Sequence, residues 1–196
     1  MTVLMNVKDL IEGCIHNRKN AQNMLYDIYS SRLYGVCLRY SGDRDEAQDI
    51  LQESLLKIFK NIHTFKYVDE FLFYGWMYKI TVNTALNHYR ELIKRNQDKE
   101  AVVELSNINE IDEYSVFDTI LEHINQQTLL KLIQELPIGY RTIFNLYAFE
   151  NRSHKEIAEE FNISINTSKT QLFKARKILI SKINDILESN QVKKVV

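Results

Sequence analysis

The chain has 196 residues and a formal net charge of −1. Its 45% hydrophobic and 26% charged residues are typical of soluble globular protein, which excludes a fibrous or wholly disordered chain. The length allows one domain or two small ones. No apolar run reaches the roughly 18 residues of a membrane span, and the N-terminus lacks a signal peptide's apolar core, so we expect a cytoplasmic protein.

The cysteines and histidines show neither metal-site nor disulfide spacing. Cys14 and Cys37 are isolated, and the five histidines are scattered along the chain. We therefore predict two reduced core cysteines, no metal and no cofactor. Paired carboxylates with a positioned base, a glycine-rich phosphate loop and a nucleophile motif are all missing from the sequence, which argues against an enzyme.

Apolar residues recur at intervals of three and four almost everywhere, and strict alternation is hard to find. With only one proline and five glycines, this pattern predicts an all-α fold. We expect two small helical domains, residues 1–95 and 119–196. An acidic flexible linker at 96–118, rich in Asn, Glu and Ser, joins them.

Four helices are predicted in the first domain, at about 7–17, 20–40, 45–62 and 69–94. The inner side of the second is expected to carry Leu25, Ile28, Tyr29, Leu33, Val36 and Cys37. The third has an apolar stripe of Ala47, Ile50, Leu51, Leu55, Ile58, Phe59 and Ile62. Its opposite face presents Asp49, Gln52, Glu53 and Leu56. This face is either a docking surface for a basic partner helix or a solvated acidic face.

A dense aromatic cluster precedes and opens the fourth helix, from Phe65 to Trp76. We expect Phe71, Phe73 and Tyr74 to pack in the core, since large aromatic side chains dominate protein cores. One outer face of the helix gathers Trp76, Lys79, Asn83, Asn87 and Arg90. Rings stack on bases, amides read base edges and cations hold phosphates, so this face indicates binding of single-stranded nucleic acid. Plain solvent exposure of the polar residues is the alternative.

The second domain carries a clearer motif. A helix is predicted from about Thr128 to just before Pro137, and another over 140–149. Ser153 and Glu156 match a capping box, and Asn162 suits a left-handed turn before a helix that opens near Ile165. That last helix has an inner face of Ser168, Leu172, Ala175 and Leu179, and an outer face of Lys169, Thr170, Phe173, Lys174 and Lys177. The pattern predicts a helix-turn-helix with a recognition helix, and a generic helical hairpin is the alternative.

Three segments resemble bacterial sigma factors of the extracytoplasmic-function (ECF) group. Residues 45–54, DEAQDILQES, are similar to the family's DAEDLVQEVF segment, and residues 76–85, WMYKITVNTA, to its WLYRIARNLA segment. Glu135-Leu136-Pro137 and the helix-turn-helix resemble its last region. The three motifs stand in the family's order over nearly the whole chain.

The resemblance implies partners and roles. Asp49, Gln52 and Glu53, beside Leu56, would contact core RNA polymerase. Phe65 and Asn83 would hold the melted non-template strand of promoter DNA at the minus-ten element. An anti-sigma factor, membrane-bound in many cases, would sequester the protein. Lys169, Phe173 and Lys174 would read the minus-thirty-five element, and Thr170 lies beside them on the same face. Thr167 and Arg176 would help to hold the DNA backbone.

The chain also departs from the family pattern. The loop after Phe65 is longer than usual and lacks glycine, which puts its base preference in question. His154 stands where a tyrosine is common, Asn166 where many members have glycine, and Ser168 where many have valine.

The residues alone leave three other functions open. The first is a helix-turn-helix regulator that binds duplex DNA as a dimer without polymerase, and the aromatic and amide face of the fourth helix argues against it. The second is an enzyme with a helical catalytic domain. The third is an adaptor that meets only other proteins.

Overall fold

The computed structural model describes residues 6–95 and 124–194. The chain divides into two compact units, Met1–Arg95 and Asn96–Val196. Within the described residues all regular structure is helical, which confirms the predicted all-α class. The acidic linker predicted at 96–118 lies outside the described residues.

The first unit contains α1 (Val7–Ile15), α2 (Lys19–Tyr40), α3 (Arg44–Asn61), a 3-10 turn (Ile62–Thr64) and α4 (Glu70–Arg95). Helices α2, α3 and α4 each pack on the other two, and α1 packs on α2 and the turn. The centre is filled by Leu10, Leu25, Tyr29, Leu33, Ile50, Ile58, Phe73, Met77 and Leu86. Burial of these apolar side chains drives the packing of the helices.

The structure corrects one predicted core position on α2. Ile28 is 42% exposed, although Leu25, Tyr29, Leu33, Val36 and Cys37 are buried as expected. At 100° per residue Ile28 falls outside the stripe that these five residues form, so it faces solvent at the edge of the helix.

Acidic side chains cap the starts of α3 and α4. The Asp43 carboxylate accepts a hydrogen bond from the Glu46 amide at 2.8 Å, and Asp69 accepts one from the Leu72 amide at 2.7 Å. Each carboxylate satisfies an amide that the first helical turn leaves without a backbone partner. The starting points of α3 and α4 are therefore set by local sequence.

Both predicted core cysteines are buried and free. Burial raises the pKa of the Cys14 thiol to about 11 and that of the Cys37 thiol to about 12. At neutral pH both thiols stay protonated, and they pack as small apolar groups.

The second unit contains α5 (Gln126–Gln134), α6 (Ile138–Ala148), α7 (His154–Phe161) and α8 (Ile165–Lys194). Helices α5, α6 and α7 each contact α8, which forms the spine of the unit. The core consists of Leu132, Ile133, Ile143, Leu146, Ile157, Leu172, Leu179 and Ile183.

Helices α7 and α8 form the predicted helix-turn-helix. The capping box is complete: Ser153 Oγ accepts from the Glu156 amide at 3.2 Å, and Glu156 Oε2 accepts from the Ser153 amide at 2.8 Å. Asn162 ends α7 in the left-handed conformation, with φ 52°. Ser164 Oγ accepts from the Thr167 amide at 2.9 Å at the start of α8.

We predict that Ser153→Ala destabilises the second unit by about 1 kcal/mol, because the first turn of α7 loses its cap. Amide hydrogen exchange of α7 and α8 in the full chain should then speed up about fivefold. Ser181→Ala, an exposed site inside α8, is the matched control and should cause no such loss. Equal exchange rates in wild type and Ser153→Ala would contradict the stabilising role of the box.

The capping box also predicts a pH dependence. Hydrogen bonds from the backbone amide and then the hydroxyl of Ser153 lower the pKa of Glu156 below its ordinary value of 4.5. Its stabilisation is therefore full above that value and is lost as the pH falls below it. Between about pH 5 and about pH 3, α7 of the wild type should lose more exchange protection than α7 of Glu156→Gln. Parallel losses in the two proteins would contradict this prediction.

Candidate nucleic-acid interfaces

One long face of α4 stays outside the core. Lys79, Asn83 and Asn87 are exposed on it, and Trp76 and Arg90 are half-buried. The Arg90 guanidinium donates to the Asn87 side-chain oxygen at 2.8 Å. The five residues predicted to share a face therefore do so. Leu72, 47% exposed, belongs to the same face by its helical position, and the sequence reasoning missed it.

Aromatic rings hold the start of this face in place. Phe65 lies 5.2 Å from Phe73 and 5.4 Å from Trp76, centroid to centroid, and the rings of Phe73 and Trp76 are stacked at 6.1 Å. Phe73 is completely buried, whereas Phe65 and Trp76 keep part of their surface in solvent. Two partly exposed rings on a rigid base make a stacking platform for unpaired bases.

A second set of contacts fixes the start of α4 against α2. The Tyr29 hydroxyl donates to Glu70 at 3.2 Å, and burial, followed by the nearby Glu70 charge, raises the pKa of Tyr29 to about 12. The Arg32 guanidinium lies 3.9 Å from the centroid of the Tyr74 ring. The expected core position of Phe71 is wrong, because this ring is 82% exposed. Phe71 lies roughly 160° around the helix from Phe73, which takes the buried position.

On α3, Asp49 and Gln52 are exposed and Leu56 is 70% exposed, as the face-by-face interpretation predicted. Glu53 differs. Its two oxygens contact Lys57 Nζ and His88 Nε2, each at 2.7 Å, and the hydrogen bond from Lys57 is the main cause of its lowered pKa. Glu53 thus points toward α4 and is only partly on the solvent face.

The recognition helix α8 presents its predicted outer face. Lys169, Thr170, Phe173 and Lys174 are partly exposed and Lys177 is exposed, while Ser168, Leu172, Ala175 and Leu179 are buried. Lys174 Nζ lies 5.8 Å from the centroid of the Tyr140 ring. Lysines are suited to contact phosphates, and the partly exposed phenyl ring is suited to contact a thymine methyl group.

Two residues of α8 that were predicted to contact the DNA backbone make contacts inside the unit. Arg176 is only 9% exposed, and its guanidinium lies 5.6 Å from the centroid of the Tyr147 ring, so it belongs to the interior of the unit rather than to the predicted outer face of α8. It lies four residues after the buried Leu172 and therefore on the same side of the helix. Thr167 is partly exposed, but its hydroxyl bonds to Ser164 Oγ at 2.8 Å and so helps to cap α8.

Two departures from the family pattern contact each other. His154 Nδ1 and the completely buried Ser168 Oγ are 2.9 Å apart, which joins the first turn of α7 to α8. The His154 ring also stacks on Tyr147 at 4.7 Å. The polar pair therefore occupies the angle between the two helices of the helix-turn-helix.

In the part of the chain that the structure describes, no cluster of three His, Cys, Asp or Glu side chains could hold a metal ion. The described helices include none long and apolar enough to cross a membrane.

Two family models match the chain. Sigma-70 region 2 matches residues 25–95, and Sigma-70, region 4 matches residues 126–179. The first match spans α4 and the acidic face of α3, and the second spans the helix-turn-helix.

Several relatives match along most of their length. RNA polymerase sigma factor SigV of Bacillus subtilis is 33% identical over 147 residues, 74% of this chain and 81% of the relative. RNA polymerase sigma-H factor of Pseudomonas aeruginosa is 28% identical over 186 residues, 92% of this chain and 95% of the relative. ECF RNA polymerase sigma factor SigW of Bacillus subtilis is 27% identical over 190 residues, which are 93% of this chain and 99% of the relative.

Among solved structures, the sigma factor RpoE from Bartonella quintana, crystallised with the anti-sigma factor NepR, aligns at a TM-score of 0.43 and 18% identity. The alignment covers 85% of this chain and 96% of that one.

The two regions occur in one chain and in the family's order, which is the organisation of a polymerase-associated, promoter-recognising factor and not of an independent duplex-binding regulator. The chain therefore belongs to the sigma-70 family of RNA polymerase sigma factors, in its extracytoplasmic-function group.

Proposed function

We propose that this sigma factor opens promoters by three separate contacts, without catalysing a reaction itself. Asp49, Gln52 and Leu56 on α3 dock on core RNA polymerase. The α4 face binds the melted non-template strand at the minus-ten element, and α8 binds the minus-thirty-five duplex. The proposed first domain is residues 1–95, the proposed second domain is residues 119–196, and residues 96–118 are the proposed linker between them.

One observation carries the proposal: α4 exposes two amides and cations beside partly exposed rings in a position where the core does not require them. Asn83 and Asn87 are one helical turn apart, and Lys79 is one turn before Asn83. A strand lying along the helix would meet the rings of Phe65 and Trp76 first and then a cation and two amides. Such a series suits successive unpaired nucleotides.

Binding free energy can account for the opening. Unstacking a base costs a few kcal/mol, and stacking on an aromatic ring returns about 1–3 kcal/mol per base. A ligand shifts an equilibrium only by its preference for one state, so the α4 face must favour unpaired over paired DNA. Asn83 is the residue proposed to line the pocket for an extruded base.

The acidic α3 face explains why polymerase would be needed. Carboxylates such as Asp49 repel duplex DNA, and the chain as a whole carries a net charge of −1. Free DNA binding should then be weak at physiological salt. Docking on a basic polymerase surface would remove the repulsion and place α4 beside the DNA.

The proposed setting is the cytoplasm, where polymerase and chromosome are found. We also propose an anti-sigma factor as regulatory partner, on the basis of the family resemblance. It would compete with polymerase for the exposed faces of the two units.

We predict that Asn83→Ala binds core polymerase normally but opens DNA at least about tenfold less, because an amide that reads an unpaired base is lost. The measurement is the fluorescence of a base analogue at the minus-ten element of a promoter duplex with reconstituted holoenzyme. A pre-melted bubble that carries the same fluorescent base measures binding of the unpaired strand alone. Asn23→Ala on α2, also an exposed asparagine, is the matched control and should behave like wild type. Opening by Asn83→Ala at the wild-type level would exclude this residue from the pocket.

We predict that replacing Lys169 and Lys174 with alanine weakens holoenzyme binding to upstream promoter duplex and lowers the salt dependence by about one to two counterions. Titrations at several salt concentrations measure both quantities. Lys182→Ala is the control, since this lysine lies on the same helix but contacts Glu135, the residue that follows α5. Unchanged affinity and salt dependence in the double variant would favour an adaptor that meets only proteins.

A further inference from the structure

A polar network connects the proposed polymerase-binding helix to the proposed DNA-binding helix. Glu53 of α3 contacts His88 of α4 through Oε2, and Lys57 through Oε1, both at 2.7 Å. Lys57 Nζ also donates to the Thr84 hydroxyl of α4 at 3.3 Å. Two residues of α3 therefore hold two residues of α4.

The two anchored residues on α4 stand next to the two amides proposed to read DNA. Thr84 follows Asn83, and His88 follows Asn87. Thr84 and His88 are four residues apart, so they lie on one side of the helix, one turn above the other. Anchors at two levels resist both rotation and sliding of α4, and either motion would carry the amides away from their positions.

The network is partly shielded from solvent. The side chains of His88, Lys57 and Glu53 are 29%, 36% and 42% exposed. Both Glu53 oxygens are engaged inside the unit, which leaves less of this carboxylate for an external partner than Asp49 offers. Exposed ion pairs contribute little to stability, so positioning of α4 is a better account of this arrangement than overall stabilisation.

We infer that Glu53 is a positioning residue: with His88 and Lys57 it holds α4 in the rotation that turns Asn83 and Asn87 toward the melted strand. This inference rests on the proposed function of the α4 face. It changes the role that the family resemblance implied for Glu53, from a polymerase contact to an internal support of the DNA-binding helix.

The test uses holoenzyme reconstituted with core polymerase and the fluorescent bubble. His88→Leu removes the bond to Glu53, and His88→Gln keeps a side-chain donor. We expect His88→Leu to lower bubble affinity about five- to tenfold, with core affinity within about twofold of wild type, and His88→Gln to restore most of the loss. Thermal melting of each variant gives its unfolding temperature, and the binding measurements are made well below it. A loss of affinity then reflects the position of α4 and not unfolding.

A double-mutant cycle gives the decisive readout. Glu53→Leu combined with His88→Leu should be no worse than the more severe single change, because each change removes the same contact. Additive losses in bubble affinity would overturn the inference. So would a normal bubble affinity in His88→Leu, or a loss that His88→Gln does not reduce. Should His88→Leu fail to fold, Lys57→Met tests the same network through Thr84, and wild-type bubble affinity in that variant would overturn it.

Failure of the inference and failure of the proposed function give different results. If Asn83→Ala opens promoter DNA normally, the proposed function of α4 fails, whatever His88 does. If Asn83→Ala is defective and His88→Leu is normal, only the positioning role of Glu53 fails. Asp49→Asn should lower core affinity in the same series, because Asp49 is a proposed polymerase contact.

Discussion

The packing of α4 on α2 and α3 is the constraint on which the first unit depends. One side of α4 is almost completely buried and consists of Phe73, Met77, Thr81, Thr84 and Leu86. The two threonines are tolerated there because their hydroxyls donate to the carbonyls of Met77 and Ile80, four residues earlier. With that side held in the core, the opposite side of the helix, with its amides and cations, faces outward.

In the second unit the same kind of packing orients the face of α8 that is proposed to bind duplex DNA. Burial of Leu172, Ala175 and Leu179 sets the rotation of α8, and the capping box and left-handed Asn162 set the angle at which α7 meets it. His154 and Ser168 add a hydrogen bond at that angle. In each unit, then, a buried apolar stripe orients a polar face, and local capping fixes where the helix begins.

Charge separates the roles of the two faces of the first unit. The α3 face is acidic, whereas the α4 face combines amides with Lys79 and Arg90. One small domain can thus offer a surface to a basic protein partner and another to nucleic acid. The Glu53–His88–Lys57 network lies where these two surfaces approach each other, which makes it the natural place for one to support the other.

The sequence by itself determined the helical class, the capping box, the turn at Asn162 and the faces of α4 and α8. These follow from period, capping chemistry and residue type, which act over a few residues. Family membership also came from sequence, through three motifs in order.

Only the tertiary structure decided what depends on residues far apart in the chain. It turned Glu53 toward His88, 35 positions away, and put Arg176 against Tyr147. A helical period shows which side chains share a face, but not which other helix covers the edge of that face. Whether an edge residue is buried depends on the packing of its neighbours, and no local pattern encodes that.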